Sequence, residues 1–506
     1  MPGPWDCLPS TGPNASSRIN PIEGGRPPSV SSAAGNARAF PLRTIPGPRG
    51  RARARKGPLI RASRAARSAV GKAVRRRVPR SLQAVFEPSR DRPEPVELLL
   101  ESDRRREARL LPIRYARMAH SPFEFLRGSA VLMTHDLAGG PTTGFRVQLC
   151  GDAHLNNFGI LATPERNAVF DVNDFDETLP GPWEWDVKRL ATSIVVAARE
   201  HRFARSTGRR AVRRTVRTYR EAMLRYASMR FVDVWYDHLD RDQIDRHVSR
   251  LARREVGLDV QRARRRTAIE AFPRLARRTG RGYRIRDDPP LIVHYPPSDA
   301  HDRMTHLYER YLRSLPDERR SLLDHYSVVD VAQKVVGVGS VGTACSVLLL
   351  LGDPDVEDPV FLQSKQALPS ALERYLGRSP YPNHAERVVV GQRLIQEASD
   401  IFLGWSRLRS EDFYVRQLRD MKFSPDVADA TPRSLVGKGE LCGAALARAH
   451  ARTGDAPAIA GYLGTKDVFD EAVVRYAEAY ATQVERDYRA MLAAIRHGRL
   501  PGSVGG

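Results

Sequence analysis

Between residues 335 and 352 the chain reads VVGVGSVGTACSVLLLLG, eighteen positions without a charged side chain. A run of that length is near the threshold for a bilayer-spanning helix, so it must either enter a membrane or be buried within protein. Its four glycines, three of them within six residues and flanked by β-branched side chains, fit two strands joined by a glycine turn rather than a helix. The neighbouring sequence keeps the strand period. Residues 328–339 (VVDVAQKVVGVG) precede the turn, and 360–367 (VFLQSKQA) follow a DPDVEDP turn. A helix over 385–399 leads to IFLGW (401–405) and DFYVRQL (412–418). This pattern predicts a small antiparallel sheet over residues 327–424, with 419–424 as a hinge.

Composition divides the rest. Residues 1–70 are rich in Pro, Gly, Ser, Ala and Arg, with few large apolar side chains. They cannot offset the entropy of ordering and are expected to be a disordered basic arm, ending in the solvated run Arg75, Arg76, Arg77. Residues 1–80 supply +15 of the formal charge of +23. The body is therefore near balance and calls for no polyanion partner, although the arm leaves a nucleic acid or an anionic surface open. Cys7, Cys150, Cys345 and Cys442 are far apart without CxxC spacing, which excludes a disulfide framework or zinc knuckle. No apolar signal-peptide core opens the sequence. A cytoplasmic location without a membrane span is expected.

The body is expected to be α+β, with residues 71–204 forming a first part. Residues 96–120 read as one helix. Residues 205–326 are Arg-rich and read as helical, with 287–299 (DDPPLIVHYPPSD) as a proline-broken loop, and 425–500 carry two long helices, 435–452 and 467–497. Within the first part a strand over 145–149 runs into the polar loop CGDAHLNN. A second strand, 168–172, runs into the acidic cluster NDFDE. Val187, Leu190, Ala191, Ile194, Val195 and Ala198 then recur at the spacing of one helical face.

An Asp and an Asn five apart in a loop between strands, with another Asp about seventeen residues on, is what phosphoryl transfer to a hydroxyl needs. One carboxylate accepts the hydroxyl proton, while the Asn oxygen and the second carboxylate hold Mg²⁺ on the phosphates. Here these are Asp152, Asn157 and Asp174, with His154 in the same loop, Asp176 as a further metal ligand and Asp186 orienting the loop. Gly337, Gly339, Ser340 and Gly342 form GVGSVG. Because a strand follows instead of a helix, the glycines sit at a hairpin tip, as in a loop that folds over ATP phosphates, not at a dinucleotide-binding helix.

CGDAHLNN, NDF and GPWEWDVKRLA resemble the catalytic segment of aminoglycoside and choline kinase-like phosphotransferases, whose pattern runs HGDxHxxN, IDF and GxxxxDLA. Cys150 stands where that pattern has its leading His. The resemblance implies ATP and Mg²⁺ as cofactors, Lys365 on the third strand as a contact to the α and β phosphates, and a helix Glu to hold it. Glu386 is the better candidate and Glu373 the competitor, and the spacing does not choose between them. Asp152 lies 185 residues before Gly337, so a protein-kinase-like two-lobe fold requires circular permutation. Over residues 72–500, RYARMAHSPFEFLRG, CGDAHLNNFG, FDVNDFDETLPGPWEWDVKRLA, VVGVGSVGT, RVVVGQRLIQEASDIFLGW, YVRQLRDMK and LARAHARTGD closely resemble the bacterial family called domain of unknown function 2252. That resemblance also draws attention to Arg127 and Arg416 as phosphate contacts or buried ion-pair partners.

The expected function is an ATP and Mg²⁺ dependent phosphotransferase acting on an unidentified hydroxyl, with phosphoryl or nucleotidyl transfer both open. Two alternatives remain. One is a metal-dependent phosphoesterase with Asp152, His154, Asp171 and Asp174 holding two cations. The other is a nucleotide-binding pseudokinase or binding module.

Overall fold

The body is built around helix Trp183–Glu200, whose side chains from Trp183 to Ala198 are all buried. The apolar spacing marks one face, yet the polar face is buried as well, because its Asp186 and Arg189 side chains hold the loop around residues 150–152. Helices Arg205–Ser228, Pro432–Thr453 and Val468–Arg496 pack around it. Gly439 and Gly443 lie directly against Thr215, where a Cβ would collide, so the second and first of these helices approach closely. Helix Pro432–Thr453 starts at a reciprocal cap between Thr431 and Ser434, which satisfies two N–H groups of its first turn. The computed structural model describes residues 62–502, apart from 241–243, 245–249, 281, 354–356 and 419–420. Residues 1–61 of the expected arm and 419–420 of the expected hinge lie outside the described residues.

Four short strands frame the middle of the body: β1 (Arg146–Leu149), β2 (Phe158–Ala162), β3 (Ala168–Val172) and β4 (Leu179–Pro182). β2 and β3 form a hairpin, and β1 pairs antiparallel with β4. Next come the hairpin β5 (Ala276–Thr279) and β6 (Gly282–Ile285), followed by the sheet strands β7 (Ile292–His294), β8 (Ser327–Lys334), β9 (Cys345–Leu351), β10 (Pro359–Gln366), β11 (Gly404–Leu408) and β12 (Glu411–Gln417). The sheet has the order β11-β12-β10-β9-β8-β7, antiparallel throughout. Strand alternation divides its side chains between two covers. Val331, Leu348, Leu350, Leu362, Phe413 and Val415 pack against Leu307 and Tyr311 of helix Pro297–Leu312. Ala332, Val347, Leu349 and Phe361 pack against Ala268 and Phe272 of helix Ala268–Leu275 and against the β5–β6 hairpin.

The mixed α+β class and the strands β8, β9, β10 and β12 stand where the sequence predicts them. Several expectations are corrected. The uncharged run at 335–352 is the glycine turn followed by β9, and no helix among the described residues is long and apolar enough to cross a membrane. Residues 205–326 are not one helical region, because β5, β6 and β7 interrupt it, and β7 adds a sixth strand inside the segment read as a proline-broken loop. β11 begins only at Gly404, so Ile401–Leu403 of IFLGW form the preceding turn. Residues 96–120 break into helix Pro95–Asp103, a 3-10 turn at Ala108–Leu110 and helix Leu111–Ala119. The arm also ends earlier than residue 70. Helix Arg64–Val74, capped by Ser63, packs on helix Ala456–Leu463, where Gly71 and Gly461 let the backbones meet. Arg75 donates to the carbonyl oxygens of Tyr462, at 2.8 Å, and Gly461, so the basic run docks on the body.

Candidate functional site

The loop between β1 and β2 is held by the helix that follows the acidic turn. Asp186, in the first turn of helix Trp183–Glu200, accepts from the N–H groups of Cys150 at 2.8 Å and Gly151 at 3.0 Å. This is the orienting contact expected of it. Arg189 is three residues on, on the same helical face. It reaches Asp152 with an Nη2 to Oδ1 distance of 2.6 Å and donates to the Leu126 carbonyl at 2.7 Å. Gly151 has φ +85°, and a Cβ there would run into the Glu177 backbone, so the loop turns tightly beneath the acidic segment only because this residue is glycine.

Asp152 faces a cleft of about 1020 Å³ that is also lined by His154, Asn157, Asp174, Asp176, the glycine turn, Arg127 and Arg416. Burial pushes the Asp152 carboxyl up to about 6, and Arg189 opposes the rise only in part. A carboxyl so poised titrates close to the range in which a general base works. His154 Nε2 stands 3.6 Å from Asp152 Oδ2. Burial, with Arg127 and Arg189 nearby, holds the imidazole well below its ordinary value, so it is neutral at pH 7. The Cys150 thiol, pushed well up by burial and the neighbouring Asp186 carboxylate, stays protonated.

Asn157 joins the loop to the acidic turn. Its Nδ2 donates to the carbonyl oxygens of Asp152 at 3.0 Å and Asp174 at 3.1 Å, which leaves Oδ1 to point elsewhere. Oδ1 of Asn157 and Oδ1 of Asp174 are both buried without a hydrogen-bond partner. Each such atom costs about 1–3 kcal/mol if nothing compensates it. Two hard oxygens in one cleft are the donor set that a Mg²⁺ ion takes.

Asp176, expected as a further metal ligand, is engaged differently. Its Oδ2 accepts from Lys365 Nζ and from Ser340 Oγ at 3.2 Å, and its Oδ1 accepts from Tyr414 OH at 2.9 Å. Lys365 Nζ also lies 3.8 Å from Asp174 Oδ2. Burial disfavours the Lys365 ammonium, but Asp174 and Asp176 outweigh it and raise its pKa above the ordinary lysine value. The helix-Glu expectation is thus corrected: the ion-pair partners of Lys365 are Asp176 and Asp174, not Glu386 or Glu373. Helix His384–Ile395 does face the acidic turn, but through Arg387, which donates to the carbonyls of Asp176 at 2.8 Å, Thr178 at 2.8 Å and Leu368 at 2.9 Å. Glu386 sits in that helix's first turn, its carboxyl raised by partial burial.

The glycine turn closes over this group. Gly337 and Gly342 have φ +67° and +90°, the left-handed region that glycine tolerates. Arginines from residues 106–117 bind the turn's carbonyls: Arg106 donates to Val341 at 2.7 Å, Arg114 to Gly339 at 3.0 Å and Arg117 to Gly337. The Glu107 N–H donates to the Gly342 carbonyl at 2.7 Å. Arg127 lines the cleft while pairing with Glu124 at 2.7 Å. Arg416 donates to Gln363 Oε1 and to the Asn173 carbonyl, both at 3.2 Å. The four-residue cation set of the phosphoesterase alternative is not assembled: Asp171 is sealed in the core against Arg448. Among the described residues no group of three or more His, Cys, Asp or Glu side chains is disposed to hold a metal by itself.

Sequence reasoning missed Arg189, although its i+3 spacing from Asp186 was visible, and it missed Lys422 on the cleft wall. No curated protein and no solved structure matches the chain. Residues 106–494 match the family model for DUF2252, described as an uncharacterized protein conserved in bacteria, and the chain belongs to that family.

Proposed function

We propose that the cleft binds Mg·ATP and transfers a phosphorus-containing group to a hydroxyl, with Asp152 as the proton acceptor. The observation that carries this reading is the pair of buried, unpartnered oxygens on Asn157 and Asp174, beside a carboxyl whose burial poises it near 6. Asn157 and Asp174 would hold the Mg²⁺, which neutralises phosphate charge when bound. Lys365 would contact the phosphates once Asp176 shares it, and Gly337–Gly342 would cover them. Asp186 and Arg189 fix the backbone and carboxylate of the proton acceptor, so it need not reorganise during reaction.

The fold that accompanies this reading is kinase-like in permuted order. It is supported by the sequence of strands β8, β9, β10, β12 and β11 across the sheet, a glycine turn between the first two, a lysine on β10 and a helix between β10 and β11. It is supported again where helix Pro432–Thr453 ends: Thr453 Oγ1 accepts from the Gln148 N–H of β1 at 3.1 Å. In an unpermuted chain that helix would run directly into the proton-accepting loop.

Titration calorimetry of ATP with and without Mg²⁺ tests the proposal. Magnesium-dependent binding is expected, abolished by Asp174→Ala and weakened by Lys365→Ala. ATP binding that ignores Mg²⁺ or survives Asp174→Ala unchanged would overturn it.

A further inference from the structure

The acidic segment 173–177 runs the length of the cleft, and its hydrogen bonds mark two unlike ends. At the Asn173 end, the Asn173 carbonyl accepts from Arg416, and Asn173 Nδ2 donates to Ser424 Oγ at 2.5 Å. Lys422 lines the cleft there and has no hydrogen-bond or ion-pair partner among the described residues. Burial beside the Arg416 guanidinium pushes its ammonium down to about 7, despite Asp174 and Asp400. At the other end, the Glu177 carbonyl accepts from Ser370 Oγ at 2.9 Å, and its carboxylate accepts from the Ala371 N–H at 2.6 Å. Leu368 and Pro369 line the cleft beside these residues, with Ala130 and Val131 also on the wall.

The Asn173 end, called the inner end below, is unsuited to a nucleobase. A base needs an apolar slot and free backbone groups. The apolar part of the sheet face that carries Lys365 is already filled, since Val347, Leu349 and Phe361 are covered by Phe272, whose ring centroid is 6.2 Å from that of Phe361. Two backbone N–H groups after β12 are also engaged: that of Leu418 donates to the Phe361 carbonyl at 2.8 Å, and that of Met421 to the Arg266 carbonyl at 2.9 Å. What the inner end offers is a guanidinium and an unpaired amine, the chemistry of a phosphate site. An anion there would remove the penalty of burying two cations together.

We propose, resting on the Mg·ATP reading above, that the nucleotide lies with its β- and γ-phosphates against Arg416 and Lys422 and its base at the Glu177 end. The α-phosphate is then the one beside Asp152, and the reaction is nucleotidyl transfer. The acceptor oxygen forms a bond to the α-phosphorus, the bond from that phosphorus to the bridging oxygen of the β-phosphate breaks, pyrophosphate leaves, and the hydroxyl proton passes to Asp152.

Comparing ATP with AMP tests the orientation. In titration calorimetry of the full chain with Mg²⁺, Lys422→Met is expected to weaken ATP by about tenfold or more, the loss of a charge-assisted contact, and to leave AMP unchanged. Equal weakening of both nucleotides, or of neither, overturns the orientation while the Mg·ATP reading stands. Photolabelling by an azidoadenine analogue of ATP gives a second readout on the unmodified chain. Label on peptides containing 130–131 or 368–371 supports the proposal, and label on residues 421–424 sinks it. A wild-type chain that fails to bind Mg·ATP at all removes the underlying reading and this inference with it.

Discussion

Asp171 and Asp174 are three residues apart on one strand and its turn, yet the protein treats their charges in opposite ways. Asp171 is 1% exposed, paired with the fully buried Arg448, and accepts from the Glu397 N–H at 2.9 Å. Asp174 keeps 42% of its side chain exposed to the cleft and leaves one buried oxygen unmatched. The first arrangement has its counter-charge built into the fold. The second has part of its complement missing, and a site that awaits a ligand is built in that way. A perturbed or buried carboxylate alone does not separate the two cases; the bookkeeping of its oxygens does.

The sharpest way to break this contrast is to remove Arg448. Arg448→Met should cost about 3–5 kcal/mol of stability in urea unfolding, because Asp171 is left buried and unpaired, whereas Asp174→Ala should change stability by less than about 1 kcal/mol. Equal losses in the two variants would refute the distinction. Next in size is Asp152→Asn, which keeps the shape, should keep the proposed Mg·ATP affinity and removes the proposed proton acceptor. ATP turnover should fall by about 10²–10⁴-fold, and retention of full turnover would exclude Asp152 as the base. The smallest effect is in the pH profile. With Asp152 titrating at about 6, turnover should rise about tenfold from pH 5 to pH 7, measured at saturating Mg·ATP. Stability runs the other way for this group. Its folded value lies above the unfolded carboxyl value of 3.8, so its favourable contribution is complete below about 4 and is lost as the pH rises through 6. A turnover profile flat across this window would show that another group takes the proton.

The site was legible where its residues lie close together in sequence. Asp152, Asn157 and Asp174 fall within one loop and one hairpin, and the glycine turn lies between two well-patterned strands, so spacing alone brought out both groups. The partner of Lys365 was not legible, because the ion pair closes between residues 176 and 365 and helix placement pointed to Glu386 instead. β5 and β6 were hidden by their arginines, since ARRTGRGYRI shows little of the apolar alternation that marks a strand. β7 is three residues long between prolines, and it is held by pairing with β8 rather than by its own pattern. Lys422 carried no signal at all, since an isolated lysine after a strand is ordinarily a solvated one.

The first described helix finds its place only at the far end of the chain: Arg75 bonds to Tyr462, 387 residues later. Thr453, which holds β1, and His450, 3.4 Å from Asp186, come almost as late. At about 5–20 residues per second of synthesis, roughly 10–80 s separate the emergence of these partners. Throughout that interval the nascent chain carries β1 and Asp186 without these contacts. The cleft can therefore reach its final form only after residues 450–462 have been made, and a polypeptide released before them would hold the motif residues without these contacts.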